Sequence, residues 1–253
     1  TLEKKQKLEV KKKQNLFCYN LTKTNSKKYS QVCELIFINK SNLATKYIFT
    51  PLNSCKIKLN EQRPLYSDNE GIVWSEAAIN NPVFIYTNNS VTQAAFAKKE
   101  LYRYLQIPGT LRSYFLKAAK KIVNKAVSPE KQVGLIGKFL RRNYNYSLST
   151  KLNTKKDPII EFLDKKGGGH CEMFASSFVM LVRSLNIPAR YVTGYCAHEW
   201  NDLGKFITVR ECDAHAWAEV YIQNKGWITI EATPPSYMRD YMGRHRSWWS
   251  TNQ

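Results

Sequence analysis

Apolar residues fall into two patterns along the chain. Over the first 90 or so positions they come in short alternating runs: Leu16-Phe17-Cys18-Tyr19, Cys33-Glu34-Leu35-Ile36-Phe37-Ile38, Lys46-Tyr47-Ile48-Phe49 and Val83-Phe84-Ile85-Tyr86. Asn, Ser, Lys and Pro clusters separate them, and Thr87-Asn88-Asn89-Ser90 reads as a turn. Strands at this spacing predict a small β-rich domain, a sheet or sandwich, over 1–91. From 92 the period becomes helical. Apolar positions predict a helix or helical turn over 92–101 and a helix over 111–127. A third helix opens at Ser128-Pro129-Glu130, a capping hydroxyl followed by proline at the first helical position. A fourth opens at Asp157-Pro158 and stops at Gly167-Gly168-Gly169. The second domain is assigned to 92–240, with a C-terminal tail over 241–253.

After the triple glycine, helical spacing resumes from Cys171 through Val182 and stops near Asn186-Ile187-Pro188. Strand-like runs follow at 189–196, 206–210, 216–222 and 227–230, the last after the turn Asn224-Lys225-Gly226. Loops of hairpin length between the later runs predict an antiparallel sheet. Cysteine at a helix start, followed by strands bearing His215 and Glu231, is the arrangement with chemical content. The first amides of a helix lack intrahelical partners and its dipole favours negative charge, so a thiolate is stabilised there and an oxyanion could be held. The glycines would let a substrate backbone come close. His215, expected at the mouth of the strand over 216–222, could take the thiol proton and return it to a leaving amine. Glu231, at the end of the next strand, could fix the imidazole tautomer. Each residue also has a plain structural reading: a core cysteine, a histidine buried at a strand end, a surface carboxylate.

These segments resemble a known family. Gly169-His170-Cys171-Glu172, Asn186-Ile187-Pro188-Ala189-Arg190, Val192-Thr193-Gly194-Tyr195, Asp213-Ala214-His215-Ala216-Trp217 and Gly226-Trp227-Ile228-Thr229-Ile230-Glu231-Ala232-Thr233-Pro234 are similar, in order and spacing, to the blocks of the bacterial transglutaminase-like core over roughly 125–235. The resemblance implies an α+β fold, a papain-like core of helices and antiparallel sheet preceded by the small β-rich domain. It also implies cysteine-dependent acyl transfer through a thioester, carried by Cys171, His215 and Glu231. The third position is usually Asp in the family, so the extra methylene of Glu231 must be accommodated. Tyr146 is implied as an oxyanion donor beside the Cys171 amide. His170, Tyr195 and Trp217 are candidates for the substrate groove. Tyr104-Leu105-Gln106-Ile107-Pro108 and its surroundings resemble the extracytoplasmic part of membrane-anchored members, which implies a periplasmic domain. The chain begins at Thr1, with neither an initiator Met nor an apolar signal core, and has no run of about 18 apolar residues.

Composition narrows this little. Hydrophobic residues make up 43% and aromatics 13% of 253 residues, the profile of a folded chain. Net charge is +19, from 39 basic and 20 acidic residues. That field favours an anionic membrane or envelope surface. The lysines are spread, however, with no nucleic-acid-binding motif among them, so a specific nucleic-acid partner is not expected. Six cysteines (18, 33, 55, 171, 196 and 212) do not make a disulfide scaffold. Cys196 and Cys212 would face each other across a hairpin centred on Gly204. His170, Cys171, Cys196, His198, Cys212 and His215 could be metal ligands, but tight Cys-x2-4-Cys spacing is missing. No cofactor is expected, and no calcium-loop pattern is present. The expected partner is a protein or peptide amide, with water (hydrolysis) or an amine (transamidation) as acceptor. The competing class is a non-catalytic binding or scaffold module on the same fold.

Overall fold

The structure is a computed structural model. It describes residues 6–7, 10–13, 16–20, 32–37, 46–50, 54–68, 72–79, 83–88, 98–125, 128–150, 156–165, 167–204 and 206–236. The C-terminal tail lies outside the described residues. The chain divides into two compact units, 1–92 and 93–253. The boundary falls among residues that are not described.

In the first unit, β1 (Gln6–Lys7), β2 (Val10–Lys13), β3 (Leu16–Asn20), β4 (Val32–Phe37), β5 (Tyr47–Ile48), β6 (Ser54–Leu59), β7 (Leu65–Ser67), β8 (Val73–Ser75) and β9 (Val83–Asn88) form two antiparallel sheets, ordered β2-β3-β6-β9-β4 and β1-β7-β8-β5. Both contribute to one core, with Ile57, Leu59, Val83 and Ile85 from the first and Ile48, Leu65 and Val73 from the second. Thr87 and Asn88, read as a turn, continue β9 because each pairs with a residue of β4. β6 escaped the sequence reading although its burial alternates strictly, Cys55, Ile57 and Leu59 inward with Lys56 and Lys58 between them.

The second unit opens with α1 (Lys98–Leu101), which tightens into a 3-10 turn over Tyr102–Leu105. Then come α2 (Gly109–Val123), α3 (Pro129–Asn143), β10 (Asn145–Tyr146), α4 (Pro158–Lys165), β11 (Gly168–Gly169), α5 (Cys171–Ser184), β12 (Ala189–Tyr195), β13 (Glu199–Asn201), β14 (Phe206–Thr208), β15 (Ala214–Ile222) and β16 (Gly226–Ile230). The caps act as the sequence indicates. Ser128 Oγ accepts the Lys131 amide, and Asp157 Oδ1 accepts the amides of Ile159 and Ile160 at 3.0 Å each.

α5 is the axis of this unit. Phe174, Phe178, Leu181 and Val182 are fully buried, and α2, α3 and α4 supply Phe115, Ile136, Leu140 and Phe162 around them. The antiparallel sheet β12-β15-β16 contributes Ala189, Ala218, Val220 and Ile222 to the same core. The small side chains at 189 and 218 let strand and helix approach closely, so the start of α5 is held at a fixed distance from β15. Asn186 and Asn224 take left-handed conformations (φ 61° and 66°) where α5 and β15 end.

Candidate active site

Cys171 is the first residue of α5, and His170 occupies the N-cap without a capping side-chain bond. The amides of Cys171 and Glu172 stand at the first helical positions, where no intrahelical acceptor exists. The two glycines ahead of them are needed for packing. A Cβ on Gly168 would lie 2.5 Å from Ser147 Cβ, and one on Gly169 would lie 2.7 Å from the Phe162 ring. Both glycines belong to β11, which pairs in parallel with β10, so Tyr146 sits opposite Gly169. The tyrosine is half-buried against the core.

His215 is the second residue of β15, so the strand starts two positions earlier than its apolar pattern suggested. It is held opposite Gly194 of β12. A Cβ on Gly194 would come within 2.7 Å of the Trp217 ring, so this glycine is what lets the indole lie across the strand pair. Trp217 stacks with His215 at a ring separation of 6.3 Å and 23° between planes.

Nε2 of His215 meets Oε2 of Glu231 at 2.6 Å. Glu231 stands one residue past the end of β16. Its other oxygen, Oε1, accepts the Thr233 amide at 2.7 Å, and its backbone carbonyl accepts from the Arg141 guanidinium. The extra methylene is therefore taken up by pinning the residue at its carboxylate and at its main chain.

Cys171 acts on the same imidazole, which places the thiol near His215. Burial, the largest single influence on His215, works against its charge. The interactions with Cys171 and Glu231 outweigh burial and raise its pKa from 6.5 to about 9. Burial likewise works against Glu231 as an anion, yet the bonds from His215 and Thr233 hold its pKa below the ordinary carboxylate value.

The structure also adds residues that the sequence reading did not single out. Tyr191 is pushed up to about 12, first by desolvation and then by Glu172 and Cys171, which places it near the start of α5. Arg141 was hidden because nothing in a helix C-terminus reveals a target 90 positions away. Among the groove candidates, His170 Nδ1 lies 3.5 Å from Glu172 Oε2 and Trp217 packs on His215, while Tyr195 is 40% exposed one strand position beyond Gly194. Cys196 and Cys212 do not face each other: Cys196 donates its amide to the Asp213 carbonyl at 2.9 Å, and neither cysteine is in a disulfide. Among the described residues, no group of three or more His, Cys, Asp or Glu side chains is placed to hold a metal.

Comparison with known proteins fits this geometry. The profile of the transglutaminase-like superfamily matches residues 117–232, which span every residue of the site. Over those residues the chain is similar to that superfamily. It is 33% identical over 138 residues to YebA of Bacillus subtilis, a match covering 52% of this chain and 19% of that protein. It is 29% identical over 147 residues to a protein-glutamine gamma-glutamyltransferase of Pseudomonas aeruginosa, covering 57% and 22%. The chain thus spans about a fifth of the length of these curated relatives. The crystal structure of the periplasmic domain of TgpA from Pseudomonas aeruginosa superposes with a TM-score of 0.65 at 19% identity, covering 88% of this chain and 71% of that one. That likeness shows a shared fold of mixed helix and antiparallel sheet with a strand-rich N-terminal region.

Proposed function

We propose that this chain is a cysteine-dependent acyltransferase acting on protein or peptide amides, with Cys171 as nucleophile, His215 as acid and base, and Glu231 as the orienting carboxylate. The supporting observation is one histidine whose Nε2 meets a carboxylate at 2.6 Å, with a cysteine at the first position of a helix acting on the same ring.

In the reaction, the Cys171 sulfur attacks the amide carbonyl carbon. The negative oxygen faces the Cys171 amide, with Tyr146 as a second donor candidate. The His215 imidazolium gives its proton to the departing nitrogen as the C–N bond breaks, leaving a thioester. Water or an amine then attacks the thioester, His215 takes the incoming proton, and the thiolate leaves. Glu231 stabilises the imidazolium and fixes its tautomer throughout. Water as acceptor gives hydrolysis and an amine gives transamidation; hydrolysis is the simpler outcome because no amine site need be built. The printed name of the Pseudomonas aeruginosa relative makes glutamine carboxamides the first donors to test. Likeness to a periplasmic domain supports an extracytoplasmic location. No helix among the described residues is long and apolar enough to cross a membrane. The +19 charge supports contact with an anionic envelope surface.

The test is alkylation of Cys171 by iodoacetamide across pH, read by mass spectrometry. Wild type should react readily at neutral pH, and His215→Ala should be slower by about a hundredfold, the lower end of the range a positioned base contributes. Equal rates in the two proteins would remove the activated pair and favour a binding module on this fold.

A further inference from the structure

Between β12 and β15 the chain leaves the sheet for 18 residues and returns. The last pairs before it leaves are Gly194 with His215 and Tyr195 with Ala214, followed by the Cys196 amide on the Asp213 carbonyl. Three positions on, Glu199 pairs with Thr208 and the β13–β14 hairpin begins. The hairpin is therefore an arm growing out of the strand pair that holds His215.

Polar contacts clasp its base. The Arg210 guanidinium takes both carboxylate oxygens of Glu199, the Arg210 amide donates to Asp213 Oδ2 at 2.5 Å, and His198 Nδ1 sits 2.9 Å from the Cys196 carbonyl oxygen. Beyond the clasp the arm is apolar and exposed: Leu203 97%, Trp200 52%, Phe206 51% and Ile207 46%. Trp200 pairs with Ile207, which puts both on one face, and Trp200 Nε1 donates to Asp202 at 3.0 Å. Phe206 lies on the other face, packed over Gly204, where a Cβ would meet the ring at 2.2 Å. A two-stranded ribbon gains little by itself, and apolar side chains gathered in the open mark a surface that meets something.

We infer that this arm docks an extended apolar peptide segment flanking the amide that reaches Cys171. The inference rests on the acyl-transfer reading for the role of the bound peptide, though not for the binding itself. Three observations select a peptide. The first is continuity. Trp200 lies six positions beyond Gly194, which pairs with His215, and at about 3.3 Å per residue this is a backbone reach of at most about 20 Å, the span of about six extended peptide residues. The second is the backbone. The β13–β14 sheet has two strands among the described residues, so each offers an edge to which an extended chain can add as a third strand. The third is charge. Residues 196–213 hold four acidic side chains (Glu199, Asp202, Glu211 and Asp213) against two basic ones (Lys205 and Arg210), in a chain whose net charge is +19. An acidic arm is repelled by anionic headgroups, so a lipid surface suits it poorly and a neutral or basic apolar peptide suits it well.

The experiment uses the full chain carrying Cys171→Ala and fluorescence anisotropy with two labelled peptides. Each has a central glutamine; one carries leucine and phenylalanine about four to six residues from it on both sides, and the other carries serine there, the spacing set by the arm's reach. The apolar peptide should bind at least tenfold tighter, and Trp200→Ser with Ile207→Ser should abolish the difference without changing the thermal midpoint. If that variant misfolds, Leu203→Ser, at the most exposed position, should still reduce it severalfold. Equal binding of the two peptides, or a preference that survives both variants, overturns the inference. So does loss of binding to phosphatidylglycerol vesicles in the variants with peptide affinity unchanged. Inert Cys171 in wild type and His215→Ala, with the apolar preference intact, would sink the catalytic reading and leave peptide docking standing.

Discussion

One pair of strands leads two lives in this molecule. At one end, β12 and β15 lie under α5, with Ala189, Ala218 and Val220 fully buried. At the other, the same pair runs out into the 199–208 arm, where Trp200 and Leu203 stand in solvent. His215 sits at the border between the two. The packed end stabilises by removing apolar surface from water, at about 25 cal/mol per Å². The arm removes little, so polar contacts at its base must define it. The contrast teaches that the site needs a rigid side, to fix sulfur against imidazole, and an accessible side, to admit a polypeptide.

Breaking the rigid side should have the largest effect. Phe178→Ala empties the centre of the unit and should cost about 3–5 kcal/mol in urea unfolding. A loss under about 1 kcal/mol would mean that α5 does not anchor the fold. Gly194→Ala, at the border, forces the Trp217 ring to move and should cost about 1–3 kcal/mol. Because that ring stacks on His215, alkylation of Cys171 should slow as well; a stability loss with unchanged alkylation would detach the indole from the site.

The pH dependence follows from His215. Its folded pKa of about 9 lies above the ordinary 6.5, so the imidazolium's contribution is complete below about pH 6.5 and is lost as pH rises through about 9. Stability should fall across that window, and Glu231→Gln should flatten the fall. Identical slopes in the two proteins would show that Glu231 does not hold the charged ring. Glu231 acts in the opposite sense: its depressed pKa stabilises above the ordinary carboxylate range, and that contribution is lost as pH falls through the folded value.

Smaller effects belong to the arm. Arg210→Ala removes an ion pair that is about 40% exposed and should cost at most about 1 kcal/mol globally, while speeding hydrogen exchange over 199–208. Trp200→Ser should change global stability by no more than about 0.5 kcal/mol, because the side chain is already in water. A larger loss would place the arm within the cooperative unit and erase the contrast.

The sequence made visible whatever depends on local chemistry. Ser128-Pro129 and Asp157-Pro158 mark helix starts because a cap needs an oxygen at the N-terminus. Cys171 could be placed at the start of α5 because three glycines cannot extend a helix. The spacing of Glu231 from His215 indicated neighbouring antiparallel strands because register carries over a short hairpin. Strand edges were less legible. β15 begins at Ala214 because its partner is Tyr195, a pairing that no apolar pattern announces. β6 was missed because lysines fill its solvent face and dilute the apolar alternation.

Sequence alone therefore determined the helices, the strands that carry the site and the candidate chemistry, since propensity, capping and period act over a few residues. Tertiary structure decided that Arg141 would hold the Glu231 main chain, that Tyr191 would stand near the start of α5, and that Gly168 and Gly169 would serve packing. It also decided that the Cys196 amide would bond Asp213 and that Cys196 and Cys212 would form no disulfide with each other. Each of these depends on where distant segments meet in three dimensions, and that is set by how whole faces fill one core, which no short window of sequence contains.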